Sequence, residues 1–162
     1  MCRQDANATE QERRSRNGLS RRTVVGMNLS LSHCFVTIDD PDVALAFYRD
    51  VLGLDVRNDV SAEGFRWVTL SPPNQPDVEI VLVEPYAGHS KEDGDTIATL
   101  LAKGSLNAVI FATDDVDKAF ESIRAAGAEV LQEPIDQPYG VRDCAFRDPA
   151  GNMIRINQPA AG

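Results

Sequence analysis

The stretch SLSHCFVTIDDPDVALAFYRDVLGL, residues 30–54, decides the fold, because a similar stretch, GSLNAVIFATDDVDKAFESIRAAGA, returns at residues 104–128. Five pairs of residues, all 74 apart and aligned without a gap, anchor this repeat: His33 with Asn107, Asp40 with Asp114, Gly53 with Gly127, Val56 with Val130, and Pro85 with Pro159. Internal similarity at a constant offset is the signature of a duplicated structural unit. The two halves are therefore predicted to share one fold.

Each copy reads as a strand, a helix and three further strands. Apolar and β-branched residues over 30–38 and 105–113 predict the first strands. Asp40 and Pro41 then form a helix start, and Gly53 ends that helix. The second helix is predicted to start near Asp114–Asp115 and to end at Gly127. The remaining strands are predicted over 54–59, 65–71 and 77–84, and over 128–133, 140–147 and 152–157. A linker over 86–104 carries one more predicted helix, over 96–103.

Composition and charge exclude several classes of function. The chain has 162 residues, of which 43% are hydrophobic, and its formal net charge is −9. Six arginines against three acids make residues 1–26 basic, so the rest of the chain is strongly acidic. An acidic body argues against nucleic-acid binding, which needs a basic face. No apolar run reaches the ~18 residues of a membrane helix, and three cysteines without a metal-binding spacing favour free thiols in the cytoplasm.

Domain organisation follows from the repeat and from the composition of the N-terminal segment. Residues 1–26 lack apolar periodicity and are predicted to form a disordered tail. Residues 27–162 are predicted to form a single domain built from two modules, 29–85 and 105–159.

The motifs of both copies resemble the vicinal oxygen chelate superfamily, which includes glyoxalase I, bleomycin-resistance proteins and extradiol dioxygenases. Three segments carry the resemblance: Leu31–His33 followed by Asp40, Ala46–Leu54, and Tyr139–Gly140 followed by Phe146–Asn152. The resemblance implies an α+β fold, in which two tandem βαβββ modules form a curled mixed sheet cup with the helices outside. It also implies a homodimer.

In metal-using members of this superfamily, the first and last strands of the modules supply the ligands. The resemblance puts His33, Val81, Asn107 and Arg155 at those positions, and of these only His33 is an ordinary metal ligand. Glu79 lies two residues from Val81 and provides a second donor. A dication ~5 Å from the Arg155 guanidinium would be repelled by roughly 6–7 kcal/mol at an effective dielectric constant near 20. The expected cofactor is therefore none, or a divalent metal on His33 and Glu79.

Strand alternation predicts which side chains face the cup. The predicted ligand-binding side chains are partly aromatic and partly polar: Phe35, Trp67, Asn107, Phe111, Tyr139, Asp143 and Arg155. Tyr139 is included, with His89 of the linker, as a candidate to line a closed cup. Arg155 is expected either to bind an anionic ligand group or to pair with Glu79 or Asp143. Mixed aromatic and polar lining is typical of a small-molecule pocket.

Two functions agree with this set of residues. The first is a glyoxalase-like enzyme, of the lyase or isomerase type, in which His33 and Glu79 transfer protons at a degenerate metal site; a dioxygenase is a further possibility within the superfamily. The second is a non-catalytic protein that sequesters a ligand, as bleomycin-resistance proteins do. In either case the expected partner is a small molecule, anionic or aromatic.

Overall fold

The computed structural model of the chain describes residues 28–106 and 108–159, so the predicted tail of residues 1–26 lies outside the described residues. The elements are β1 (His33–Thr37), α1 (Pro41–Leu45) continued by a π-helical turn (Ala46–Val51), β2 (Asp55–Ala62), β3 (Phe65–Ser71), β4 (Glu79–Val83), α2 (Lys91–Ala102), β5 (Ala108–Ala112), α3 (Val116–Ala125), β6 (Glu129–Asp136), β7 (Val141–Arg147) and β8 (Met153–Pro159).

The strands form two four-stranded sheets with the same topology. The first sheet has the order β1-β4-β3-β2 and the second has the order β5-β8-β7-β6. In each sheet the first and last strands of the module are parallel, and the other pairs are antiparallel. This confirms the predicted α+β fold of two tandem βαβββ modules, with sheets that curl without closing.

One hydrophobic core runs through both modules on the helix side of the sheets. It contains Val36 and Ile38 of the first module together with Phe120, Ile154 and other buried residues of the second. The opposite, cup face of β1 carries His33, Phe35 and Thr37, which are more exposed than Val36 between them. The alternation therefore separates a packed helix side from an open cup side.

The two modules are also joined by buried hydrogen bonds. The Tyr48 hydroxyl donates to Asp148 Oδ2 at 2.9 Å, and burial together with this carboxylate raises the pKa of Tyr48 well above its usual value. The side-chain amide of Asn152 donates to the Thr37 carbonyl and to Asp148 Oδ2, each at 2.8 Å. This clasp of Tyr48, Asp148 and Asn152 ties the first helix and the end of β1 to the turn before β8.

The two modules differ by one residue in their first halves, so the gap-free repeat is wrong there. Asp40 caps α1 and Asp115, not Asp114, caps α3. The chain from Asp40 to Gly53 is thus one residue longer than the chain from Asp115 to Gly127. The π-helical turn accommodates the extra residue, since the Leu52 N–H bonds to the Phe47 carbonyl five residues earlier.

This shift corrects the predicted face of Phe111. In the parallel pair of β5 and β8, Phe111 is opposite Ile156, and Ile110 is opposite Arg155. Ile156 belongs to the core and Phe111 packs against that core, whereas Ile110 is 60% exposed. Successive residues of a strand point to opposite faces. An error of one residue in the alignment of the repeat therefore assigned Phe111 to the wrong face. The prediction that Phe111 faces the cup is therefore wrong.

The linker helix is longer than predicted. Ser90 caps α2, because its hydroxyl accepts the Asp93 N–H at 3.1 Å, and the helix begins at Lys91 rather than at residue 96. The Tyr86 hydroxyl donates to Asp95 Oδ1 at 2.8 Å, and the Tyr86 ring lies against Gly94, where a Cβ atom would overlap it. These contacts hold the turn over residues 84–90 against the start of α2.

Candidate functional site

His33 and Glu79 form a pair at the start of β1 and β4. They are directly opposite each other in the parallel register, and His33 Nε2 lies 2.7 Å from Glu79 Oε2. On the other ring nitrogen, His33 Nδ1 is 2.6 Å from Ser32 Oγ. When Glu79 is ionised, the proton of the neutral imidazole belongs on Nε2, and Nδ1 accepts the Ser32 hydroxyl. The pair is therefore arranged so that Nδ1 is the basic atom.

This pair is open to solvent. The His33 side chain is 48% exposed and the Glu79 side chain is 24% exposed. The Arg57 guanidinium also approaches Glu79, with Nε 3.9 Å from Oε1. A ligand can therefore reach the imidazole without a change of fold.

Arg155 and Asp143 form a second pair on the cup face of the second sheet. Arg155 Nη1 donates to Asp143 Oδ2, and the Asp143 side chain is fully buried. Gln132 and Gln137 donate to the other oxygen, Asp143 Oδ1, at 2.7 and 2.9 Å. Burial opposes ionisation of Asp143, but the hydrogen bonds from Gln137, Arg155 and Gln132 outweigh it and lower the pKa of Asp143 below its ordinary value.

The sequence left two roles open for Arg155, namely binding an anionic ligand group or pairing with Glu79 or Asp143. The structure contains the ion pair with Asp143. Because the two charges neutralise each other, Arg155 does not present a free cation to the cup. No ion pair or hydrogen bond joins this arginine to His33 or Glu79 in the part of the chain that the structure describes. A role of Arg155 or Asp143 in ligand binding stays a prediction.

The donor set does not fit a divalent metal. Within residues 28–106 and 108–159, no group of three or more His, Cys, Asp or Glu side chains comes together. His33 and Glu79 supply two donors, and they bond to each other while Arg57 lies beside the carboxylate. In the second module, the pair that corresponds to His33 and Glu79 is Ala108 and Met153. Ala108 has no donor side chain. Asn107 lies outside the described residues.

A cleft of about 250 Å³ lies between the first sheet and the linker. This linker cleft is lined by four residues of the sheet and five that follow it: Phe35, Thr37, Trp67, Val83, Glu84, Pro85, Ala87, His89 and Ile97. The predicted residues Phe35 and Trp67 therefore meet in one cleft. His89, predicted as a candidate to line a closed cup, also lines this cleft.

Four residues of this cleft were missed by sequence reasoning, namely Glu84, Pro85, Ala87 and Ile97. Glu84 follows β4 directly, and Ile97 lies on α2 within the predicted part of that helix, but neither was expected to line the cup. The alternation along β4 could have placed the strand end beside the cup, but nothing in the sequence indicates the direction of the turn that follows. The turn is set by tertiary contacts such as that between Tyr86 and Gly94.

Tyr139 and Phe111 lie away from the linker cleft. Tyr139 is 69% exposed in the turn between β6 and β7. Phe111 instead lines a separate cleft of about 280 Å³ between the modules, together with Leu52, Pro73 and Ile123. Neither residue lines the cleft that contains Trp67.

The fold and the clefts define a class, a two-module α+β protein with an open cleft on its cup side. The family model described as Glyoxalase/Bleomycin resistance protein/Dioxygenase superfamily matches residues 30–156. The chain belongs to this superfamily, as the sequence motifs predicted.

Three known proteins are similar to this chain over most of its length. UcmS2, which has a crystal structure, is 33% identical in sequence to this chain. The TM-score is 0.74, and the match covers 81% of this chain and 98% of UcmS2. TnmS3, an antibiotic binding protein from Streptomyces sp. CB03234, is 29% identical, with a TM-score of 0.67 over 83% of this chain and 100% of that chain. A probable lactoylglutathione lyase of Synechocystis sp. (strain ATCC 27184 / PCC 6803 / Kazusa) is 25% identical over 81% of this chain and 96% of its own length.

Proposed function

We propose that this protein binds a planar aromatic small molecule in the linker cleft and holds it without chemical change. The carrying observation is that Phe35 and Trp67 of the first sheet meet the linker around one cleft of about 250 Å³. Ligand pockets are mostly apolar and aromatic, with a few polar groups that orient the ligand. A cleft of this size has room for one small ring system in contact with these two aromatic side chains.

The position of the acid-base pair supports binding rather than catalysis in this cleft. His33 and Glu79 do not line the linker cleft. His33 begins β1 and Thr37 ends it, so at ~3.3 Å per residue the two lie roughly 13 Å apart along the strand. Phe35, which also lines the cleft, is roughly 7 Å from His33 along β1. A ligand centred near Thr37 is therefore offset from the imidazole. The antibiotic-binding description of TnmS3 agrees with this function.

A homodimer and a cytoplasmic location belong to the same proposal. Ile110 is 60% exposed on the cup face of the second sheet, and a large apolar side chain in such a position favours coverage by a second copy. Cys34 and Cys144 are free thiols, which favours a reducing compartment. None of the helices in the described part of the chain is long and apolar enough to cross a membrane.

Binding can be measured directly, because Trp67 is the single tryptophan of the chain. Acridine serves as a neutral aromatic probe, and its titration should give saturable quenching of Trp67 fluorescence. By calorimetry, Trp67→Leu should weaken acridine binding about tenfold, since stacking on an aromatic ring contributes roughly 0.5–1.5 kcal/mol beyond area burial. The matched control is Phe65→Leu, on the same strand but outside the cleft.

Two results would contradict the proposal. One is the absence of saturable binding to the unmodified protein, and the other is equal binding to Trp67→Leu. Recovery of acridine derivatives altered by the protein would argue against simple sequestration.

A second candidate function is favoured by the 2.7 Å contact between His33 and Glu79. In this proposal the protein is a lyase or isomerase in which His33 Nδ1 accepts a proton from the substrate and Glu79 stabilises the imidazolium at Nε2. Ser32 holds Nδ1 until the substrate displaces its hydroxyl. General bases of this kind contribute about 10²–10⁴-fold to a rate.

The assay for this candidate is turnover of lactoylglutathione, followed by absorbance. His33→Gln and Glu79→Gln should each lower kcat at least about 100-fold. Glu133→Gln is the matched control for Glu79→Gln, because Glu133 is an exposed carboxylate of β6 outside both the pair and the linker cleft. Equal activity of His33→Gln and the unmodified protein would eliminate this function.

A further inference from the structure

The charge of the linker cleft comes from one residue, Glu84. It is the only carboxylate among the lining residues, and no lysine or arginine lines the cleft. Apart from His89, the remaining lining side chains are uncharged. The ligand proposed above would therefore meet two aromatic rings and one anionic group.

The Glu84 carboxylate has more acceptor sites than it uses within the described part of the chain. Glu84 Oε2 accepts the Arg66 backbone N–H at 3.2 Å. In the described part of the chain, no Lys, Arg or His nitrogen lies within ion-pair distance of its carboxylate. A half-buried carboxylate with a single long hydrogen bond is poorly compensated for its lost hydration.

Arg66, whose backbone N–H bonds to Glu84, uses its side chain elsewhere. The Arg66 guanidinium donates to Asp42 Oδ1 at 2.6 Å and to Asp59 Oδ2 at 2.7 Å. These two bonds hold the guanidinium on the side of α1 and β2, so Arg66 could neutralise Glu84 only by breaking them. The cleft is therefore anionic in the folded protein.

Aromatic walls strengthen the same preference. A cation over the face of a tryptophan or phenylalanine ring is attracted by the ring quadrupole, by about 0.5–2 kcal/mol. Trp67 and Phe35 line the same cleft as Glu84. The net charge of −9 adds a long-range attraction for cations.

We propose that Glu84 makes the linker cleft selective for aromatic cations over neutral and anionic molecules of the same shape. This inference rests on the proposed binding function and specifies the ligand class. It differs from the sequence-based expectation of an anionic ligand, because that expectation assigned the free charge to Arg155, which is paired with Asp143.

Three probes of one ring shape test the inference, namely 9-aminoacridine as the cation, acridine as the neutral molecule and acridine-9-carboxylate as the anion. Affinities are measured by Trp67 quenching and calorimetry near neutral pH. The cation should bind at least about tenfold more tightly than acridine, the effect of one charge-assisted hydrogen bond. The anion should bind more weakly than acridine.

Glu84→Gln keeps the shape of the side chain and removes its charge. It should weaken 9-aminoacridine binding about tenfold and leave acridine binding within about twofold. Glu133→Gln is the matched control, since it removes one negative charge from an exposed position of β6, outside the cleft. Added salt should weaken cation binding to the unmodified protein more than to Glu84→Gln.

The outcomes separate this inference from the function on which it rests. If all three probes bind equally, or if Glu84→Gln binds the cation as tightly as the unmodified protein does, charge selectivity is wrong and aromatic binding survives. If none of the three probes binds, the aromatic binding function itself fails, and the selectivity fails with it. Loss of cation binding in Glu133→Gln as large as in Glu84→Gln would assign the effect to overall charge.

Discussion

The cup faces of the two sheets differ although the modules share one topology. On the first sheet, His33, Glu79 and Phe35 are accessible, and the linker covers the strand ends to form a cleft. On the second sheet, the buried Asp143 is satisfied by Arg155 and two glutamines. Polar groups that are hydrogen-bonded to each other have few free donors or acceptors for a ligand. The comparison agrees with the proposed binding at the first module, and it predicts that the polar groups of the second module contribute to stability.

The largest expected effect is on the stability of the second module. Arg155→Met should lower the free energy of unfolding by about 3–5 kcal/mol, because it leaves the buried Asp143 carboxylate without its cation. Urea denaturation followed by circular dichroism measures the loss. The double variant Asp143→Asn with Arg155→Met should recover part of it. The control, Arg142→Met, breaks an exposed pair with Asp117 and should cost less than about 1 kcal/mol.

Acid should weaken the protein through the same carboxyl group. The pKa of Asp143 is lower in the folded state than its ordinary value of 3.8, so its ionisation stabilises the fold above that value. This contribution is lost as the pH falls from about 4 through the lower folded-state pKa. Urea midpoints at pH 7 and pH 3 should therefore differ less for Asp143→Asn than for the unmodified protein. A parallel pH dependence of both proteins would exclude Asp143 as the titrating group.

A smaller effect is expected at the clasp between the modules. Tyr48→Phe removes the hydroxyl that donates to Asp148, which should lower the free energy of unfolding by about 1–2 kcal/mol. Tyr139→Phe alters an exposed tyrosine and should change stability by less than about 0.5 kcal/mol. If the two variants unfold at the same urea concentration, the clasp does not stabilise the contact between modules.

The smallest effect is expected at the open pair of the first module. Glu79→Gln removes a partner of the half-exposed His33 and should change the free energy of unfolding by less than about 1 kcal/mol. Urea denaturation under the same conditions compares this variant with Arg155→Met. A loss as large as that of Arg155→Met would mean that both cup faces are structural, and the contrast between the modules would disappear.

Much of the candidate site could be predicted from strand alternation. The pairing of His33 with Glu79 follows from the parallel strands of one module, since both residues begin their strands. Alternation along β1 and β3 also puts Phe35 and Trp67 on the cup face, and both line the linker cleft. Glu84 and Ile97 could not be predicted, because the turn that brings them together depends on contacts distant in sequence.

The sequence by itself determined the duplication, the α+β fold and the family, because turn residues, helix caps and strand patterns are local signals. Only the tertiary structure decided the partner of Arg155, the face of Phe111 and the charge of the cleft. A single extra residue in the first helix, accommodated by a π-helical turn, shifts the repeat by one. Because strand faces alternate with every residue, a shift of one position exchanges core for cup.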